Sequence, residues 1–223
     1  MKSAIKIVGL MVACIVAATQ ANAQTATGKL ITGSKHDFKT TAYVGEGGTM
    51  KLAYNKCSTC HAAHKPKKNS PLWARDNPTN TGWTVWNGAA GRVLDGTNDG
   101  TYLSADEFVA SGSGMCMSCH DGVTAIGNTS GGTPVTMAST FHGNWGRDLN
   151  DMHPVGKKVP FNTPGWVADL LTGNTASGST VVVDVVGGNS FVGCTSCHSM
   201  HKNSAMSAMI LRVGERCLSC HAK

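Results

Sequence analysis

Four stretches of this chain carry the same chemistry: Cys57-Ser-Thr-Cys60-His61, Cys116-Met-Ser-Cys119-His120, Cys194-Thr-Ser-Cys197-His198 and Cys217-Leu-Ser-Cys220-His221. Each pairs two thiols three residues apart with a histidine directly after the second. That pattern is the attachment site of a c-type haem: the thiols form thioethers to the vinyl groups and the histidine ligates the iron. A bare Cys-x-x-Cys also suits half a zinc site or a thiol-redox pair, but neither requires the histidine. Histidine is 9 of 223 residues. Four chance placements after such pairs have odds on the order of one in a million, which favours haem over zinc and disulfides. The expected cofactors are therefore four covalent c-type haems.

A haem iron has two axial positions, and each motif fills one. The second ligand sets the chemistry: histidine gives a closed, low-potential carrier, methionine raises the potential, and an empty position admits a substrate. Five histidines remain outside the motifs: His36, His64, His142, His153 and His201. Four would close every iron, leaving one. His64 follows His61 by three residues, and His201 follows His198 by three, so each pair shares one side of a helical turn. One haem plane cannot take both members. His64 and His201 are therefore expected to ligate haems other than those of their own motifs, with a surface histidine as the bland alternative. His153 lies in Asp151-Met-His-Pro-Val-Gly156, where Pro154 stiffens the chain. His36 lies in Ser34-Lys-His-Asp-Phe38. Both are distal candidates. His142, in Phe141-His-Gly-Asn-Trp145, is the expected surplus. Methionine ligation is the weaker reading, because Met115, Met117 and Met200 sit in or beside motifs where packing explains them.

These motifs need a compartment and a scaffold. Lys2 and Lys6, the apolar run Ile5–Ala18 and the small-x-small tripeptide Ala21-Asn22-Ala23 read as a secretory signal over residues 1–23. Cys14 falls inside it. An acylated Cys14 is the rival reading, which Met11-Val-Ala-Cys14 fits poorly. No other stretch is long and apolar enough to span a bilayer. Residues 24–223 are expected to form a single exported tetrahaem domain.

The chain has 27 Gly against 5 Trp, 3 Tyr and 5 Phe, a weak supply for an ordinary core. The expected fold is a multihaem cytochrome c. It is mostly loops, with a few short helices and a small β-hairpin, wrapped around a stack of four haems that serves as the core. Loss of Lys2 and Lys6 lowers the formal net charge from +6 to +4. Each ferric bis-histidine haem brings a net charge of about −1 once both propionates are ionised, so the holoprotein is near neutral. Neither charge nor an aromatic-interleaved basic patch argues for nucleic acid.

The motifs are unevenly spaced, with 54, 73 and 18 residues between successive units, so the last two haems should be neighbours. Ser104-Ala-Asp-Glu107 is a capping-box pattern that starts a helix toward Phe108. Ser204 is a cap candidate for a helix leading into the last motif. Val181–Val186 is a strand candidate, with Leu170 and Leu171 as its expected hairpin partner. Residues 77–100 and 127–139 are rich in Gly, Asn and Thr and read as loops. Asp95-Gly-Thr-Asn-Asp-Gly100 with Asp106 partly matches a calcium loop. Thr97 and Asp106 replace expected ligands there, and a turn-rich loop explains the same residues.

The order of these elements resembles OmcE-type tetrahaem cytochromes. The resemblance rests on Ser-Lys-His36, the Cys-x-x-Cys-His-x-x-His of Cys57–His64, and Pro71-Leu-Trp73. It continues through Cys116-Met-Ser-Cys-His-Asp-Gly122, Asp-Met-His-Pro-Val-Gly, Cys194-Thr-Ser-Cys-His-Ser-Met-His201 and the terminal Cys-Leu-Ser-Cys-His. It spans residues 36–221. Ala62-Ala63 replaces the usual Thr-Pro, and His142 has no counterpart. The resemblance implies His36, His64, His153 and His201 as distal iron ligands. It also implies polymerisation into extracellular conductive filaments, in which one haem takes a histidine from the neighbouring copy. His36 is the candidate donor. It precedes Cys57 by 21 residues, a reach of roughly 70 Å that allows ligation in cis or in trans.

The expected function is electron transfer, with other copies of the chain and other redox proteins or extracellular acceptors as partners. A monomeric periplasmic shuttle to a partner reductase is the second reading. A nitrogen-oxyanion reductase is the third; it needs an open iron and nearby acid–base groups.

Overall fold

The computed structural model describes residues 36, 44–45, 48–49, 57–64, 66–67, 72–88, 90–128, 134–160, 164–165, 182–198, 200 and 220–221. Its elements are short. In chain order they are β1 (Val44–Gly45), β2 (Gly48–Thr49), β3 (Thr84–Val85), β4 (Arg92–Val93), α1 (Ala105–Ala110), α2 (Gly112–His120), β5 (Gly127–Asn128), β6 (Pro134–Val135), β7 (Asp148–Leu149), β8 (Asp184–Val186), β9 (Asn189–Phe191) and α3 (Cys194–Cys197). Among the described residues, no helix is long and apolar enough to cross a membrane.

The capping box at Ser104 forms as its sequence predicts. Ser104 Oγ accepts from Glu107 N, and Glu107 Oε2 accepts from Ser104 N at 2.9 Å. Ser111 then ends α1 and starts α2. Its hydroxyl donates to Phe108 O at 2.7 Å and accepts from the backbone N–H groups of Ser113 and Gly114. Gly114 lies against the Val109 carbonyl, where a Cβ would collide with backbone, so the two helices meet closely there.

The tracts read as loops contain structure. β3 and β4 lie within 77–100, and β5 and β6 within 127–139. β3 is the centre of a three-stranded sheet, antiparallel to β4 and parallel to β7. Two-residue strands have too few side chains to produce a readable alternation, which is why composition alone suggested loops. β8 falls inside the expected strand, but its described partner is β9, with Asp184 opposite Phe191. Gly187 and Gly188 both have positive φ, the requirement of a two-residue primed turn. They form the hairpin tip directly after the end of β8. Leu170, Leu171 and the expected helix after Ser204 lie outside the described residues.

The polypeptide also has an apolar core of its own, which the scarcity of aromatics did not suggest. Trp83, Val85, Leu94, Leu103, Phe108, Val109, Met117, Leu149 and Phe191 cluster between the three-stranded sheet, α1, α2 and β9. Trp83 and Phe108 are fully buried with ring centroids 5.2 Å apart, and Trp83 Nε1 donates to Thr79 O. This core fixes α2, and α2 carries the second Cys-x-x-Cys-His unit.

The calcium-like loop is held by its own contacts. Asp95 Oδ1 accepts from Thr97 N, and Asp99 Oδ1 accepts from Thr101 N and Tyr102 N. Asp99 also pairs with Arg92 at 2.9 Å, and Asp106 accepts from Asn80. These bonds describe a stapled turn, the alternative reading of that sequence.

Candidate haem-binding site

Each described motif is wound as a helical turn. Cys60 N and His61 N both donate to Cys57 O. Cys116, Cys119 and His120 occupy the end of α2. Cys194–Cys197 is α3, and His198 N donates to Cys194 O at 2.9 Å. Spacings of three and four residues place both sulfurs and the imidazole on one side of such a turn. That is the arrangement a porphyrin needs in order to be sewn at two vinyl groups and ligated from the same side. Of the fourth motif, Cys220 and His221 are described and Cys217 is not.

The motifs are brought together. Ser113 Oγ, near the start of α2, accepts from Cys194 N at 2.9 Å across 81 residues. Gly112 N donates to Asp184 Oδ1, tying α2 to the β8–β9 hairpin just before α3. Cys116 donates a hydrogen bond to Cys194; with burial, this holds the Cys116 thiol well above the usual thiol range, and the same bond lowers Cys194. At the other end of α2, Cys119 lies beside Cys60. Burial pushes the Cys60 thiol up to about 11, with Cys119 adding and Arg75 opposing. Arg75 Nη2 donates to Ala125 O at 2.7 Å and joins the loops of the first two motifs. No disulfide joins the seven described cysteines.

The histidines show the informative geometry. His36 and His120 have ring centroids 5.9 Å apart, and His153 and His221 6.4 Å apart. Two imidazole nitrogens, each about 2 Å from a shared metal, put their ring centroids about 6 Å apart. Both pairs join one motif histidine to one of the distal candidates.

Protonation suits ligation as well. Burial pulls His36 down to about 4, with His120 and His198 adding to the shift, so its imidazole is neutral near pH 7. Burial likewise lowers His120, opposed by its bond to the Gly143 carbonyl. His120 Nδ1 lies 2.7 Å from Gly143 O. A carbonyl can only accept, so Nδ1 carries the hydrogen and Nε2 keeps its lone pair for a metal. His153 Nδ1 makes the same bond to Pro154 O at 3.2 Å.

The remaining candidates have no such pairing: His64 is exposed, as His153 and His221 are, and no ring contact joins it to another described histidine. His142 is exposed in a turn, and His201 lies outside the described residues. His36 meets His120 of its own chain. No three His, Cys, Asp or Glu side chains gather among the described residues as a bare zinc or calcium ion would need. The chain's own residues therefore fit a haem: paired sulfurs on a turn, a neutral imidazole beside them, and a second imidazole at one-metal distance.

Three features of this site were not read from the sequence. Trp145 stacks on the His120 ring at 4.4 Å and 14°. Trp73 meets His61 edge-on at 6.2 Å. Asp121, directly after the second motif, is buried and paired with Arg147 at 2.9 Å. The Asp that follows His120 was the only signal for the last of these, and the Trp contacts had none. No family model and no curated protein matches this chain.

Proposed function

We propose that this chain is an exported electron-transfer protein carrying four c-type haems with histidine on both axial positions. The single observation that carries the reading is the pairing of motif histidines with non-motif histidines at one-metal spacing, 5.9 and 6.4 Å. When bound, each haem supplies a one-electron ferric/ferrous couple. The protein's part is to anchor and close. The cysteine pairs would fix the haems in position, His120 with His36 and His221 with His153 would supply imidazoles to two of the irons, and the bond to Gly143 O fixes the His120 tautomer. A closed iron favours conduction over catalysis, because it leaves no position for a substrate.

The motif order favours assembly of copies into an extracellular filament. The second reading is a discrete periplasmic shuttle to a partner reductase. Electron microscopy of the purified protein separates these: long polymers support the filament, and uniform particles of one chain support the shuttle. Electron transfer itself is tested by adding carbon monoxide to the dithionite-reduced protein. The spectrum is expected to stay unchanged; a carbon monoxide complex, or turnover of nitrite or hydroxylamine, would count for an enzyme instead.

A further inference from the structure

The segment Phe141-His-Gly-Asn-Trp145 contributes the histidine that the ligand count leaves over, and that histidine is exposed. Its neighbours do something else. Gly143 gives its carbonyl to His120 Nδ1 at 2.7 Å, and Trp145 lays its ring on the His120 ring at 4.4 Å and 14°. Trp145 N also donates to His120 O at 3.0 Å, so the chain is fastened to the same residue by its backbone.

The segment is built for this approach. Asn144 N donates to Phe141 O, closing a turn, and Asn144 Nδ2 donates to Met137 O at 2.9 Å. Gly122 has φ +69 and lies against the Asn144 side chain where a Cβ would collide. A Cβ on Gly143 would meet the Phe141 ring at 2.8 Å and His120 Nδ1 at 3.4 Å. A side chain at 143 would have to displace the Phe141 ring to keep the carbonyl this close.

An imidazole bound through Nε2 keeps one freedom, rotation about the metal–nitrogen bond. A hydrogen bond to Nδ1 limits that rotation, and a flat ring stacked on the imidazole limits it further. We infer that Trp145 is a positioning residue that sets the ring plane of His120 as an axial ligand and holds it 49° from the plane of His36. This rests on the haem reading proposed above. The angle between two axial imidazole planes governs the splitting of the ferric d orbitals, and so the largest g value of the low-spin signal. The His153–His221 pair, at 74°, should give a different signal from the His36–His120 pair.

The test is frozen-solution EPR of the fully oxidised holoprotein, with haem content measured first. A parent protein without covalent haem refutes the underlying reading, separately from this inference. Given haem, Trp145→Leu is expected to move the largest g value of one low-spin signal and leave the others. Trp145→Phe, which keeps a flat ring, is expected to restore it. Haem count and spin state should match the parent in both. A Leu variant whose spectrum superimposes on the parent overturns the inference, as does an equal displacement in the Phe variant.

Discussion

Replacing His36 with alanine is expected to open one iron in four. His36 is half-buried against His120, with ring centroids 5.9 Å apart, and burial keeps it neutral. Its removal leaves the His120 side of that site intact, since the Gly143 carbonyl and the Trp145 ring do not depend on His36. The reduced variant should bind carbon monoxide at about one quarter of its haem, with a high-spin ferric signal of matching intensity. His36→Met should stay closed and titrate at higher potential, because a thioether favours ferrous iron over the imidazole it replaces. An alanine variant that binds no carbon monoxide would mean that another residue closes this iron.

The second large effect concerns the carboxylate behind the motif. The Asp121 side chain is fully buried and receives Val123 N, Thr124 N, the Thr124 hydroxyl and the Arg147 guanidinium. Arg147 in turn reaches Thr79 Oγ1 and Thr81 O and lies over the Trp83 ring at 5.2 Å. One ion pair thus ties the end of α2 to the sheet and to the largest core side chain. Asp121→Asn turns an amide toward a guanidinium and leaves that cation without its counter-charge. Breaking one side of a buried pair costs about 3 kcal/mol or more. For a domain near 200 residues, that corresponds to a fall in the melting midpoint of roughly 6–12 °C. Arg147→Met should cost less, because Asp121 keeps its backbone donors. Thermal unfolding followed in the far-UV and Soret bands gives both numbers, and equal midpoints for Asp121→Asn and the parent would contradict this role.

Local signals were readable where one short segment decides the structure. Ser104 and Glu107 satisfy each other's backbone within four residues, so their box could be named from the chain alone. The β8 strand was legible from its β-branched run, but its partner β9, Asn189-Ser-Phe191, is too short and too mixed to read as a strand from the chain alone. The core was hidden because Trp83, Phe108 and Phe191 meet across more than a hundred residues with only short strands and two short helices between them. The motifs mark their own histidines in the sequence but not which other histidines those would meet. His36 and His120 lie 84 positions apart, and no periodicity relates them. The role of Gly143 and Trp145 was masked by His142, the residue that drew attention to the segment.

The central claim is the covalent haem load, and denaturing intact-mass spectrometry reads it directly. The protein should be made in a host that matures c-type cytochromes. The expected mass is that of the polypeptide without residues 1–23 plus four haems, roughly 0.6 kDa each, that survive denaturation because they are thioether-linked. A mass equal to the polypeptide alone, or one raised only by zinc in native spectra, would contradict it.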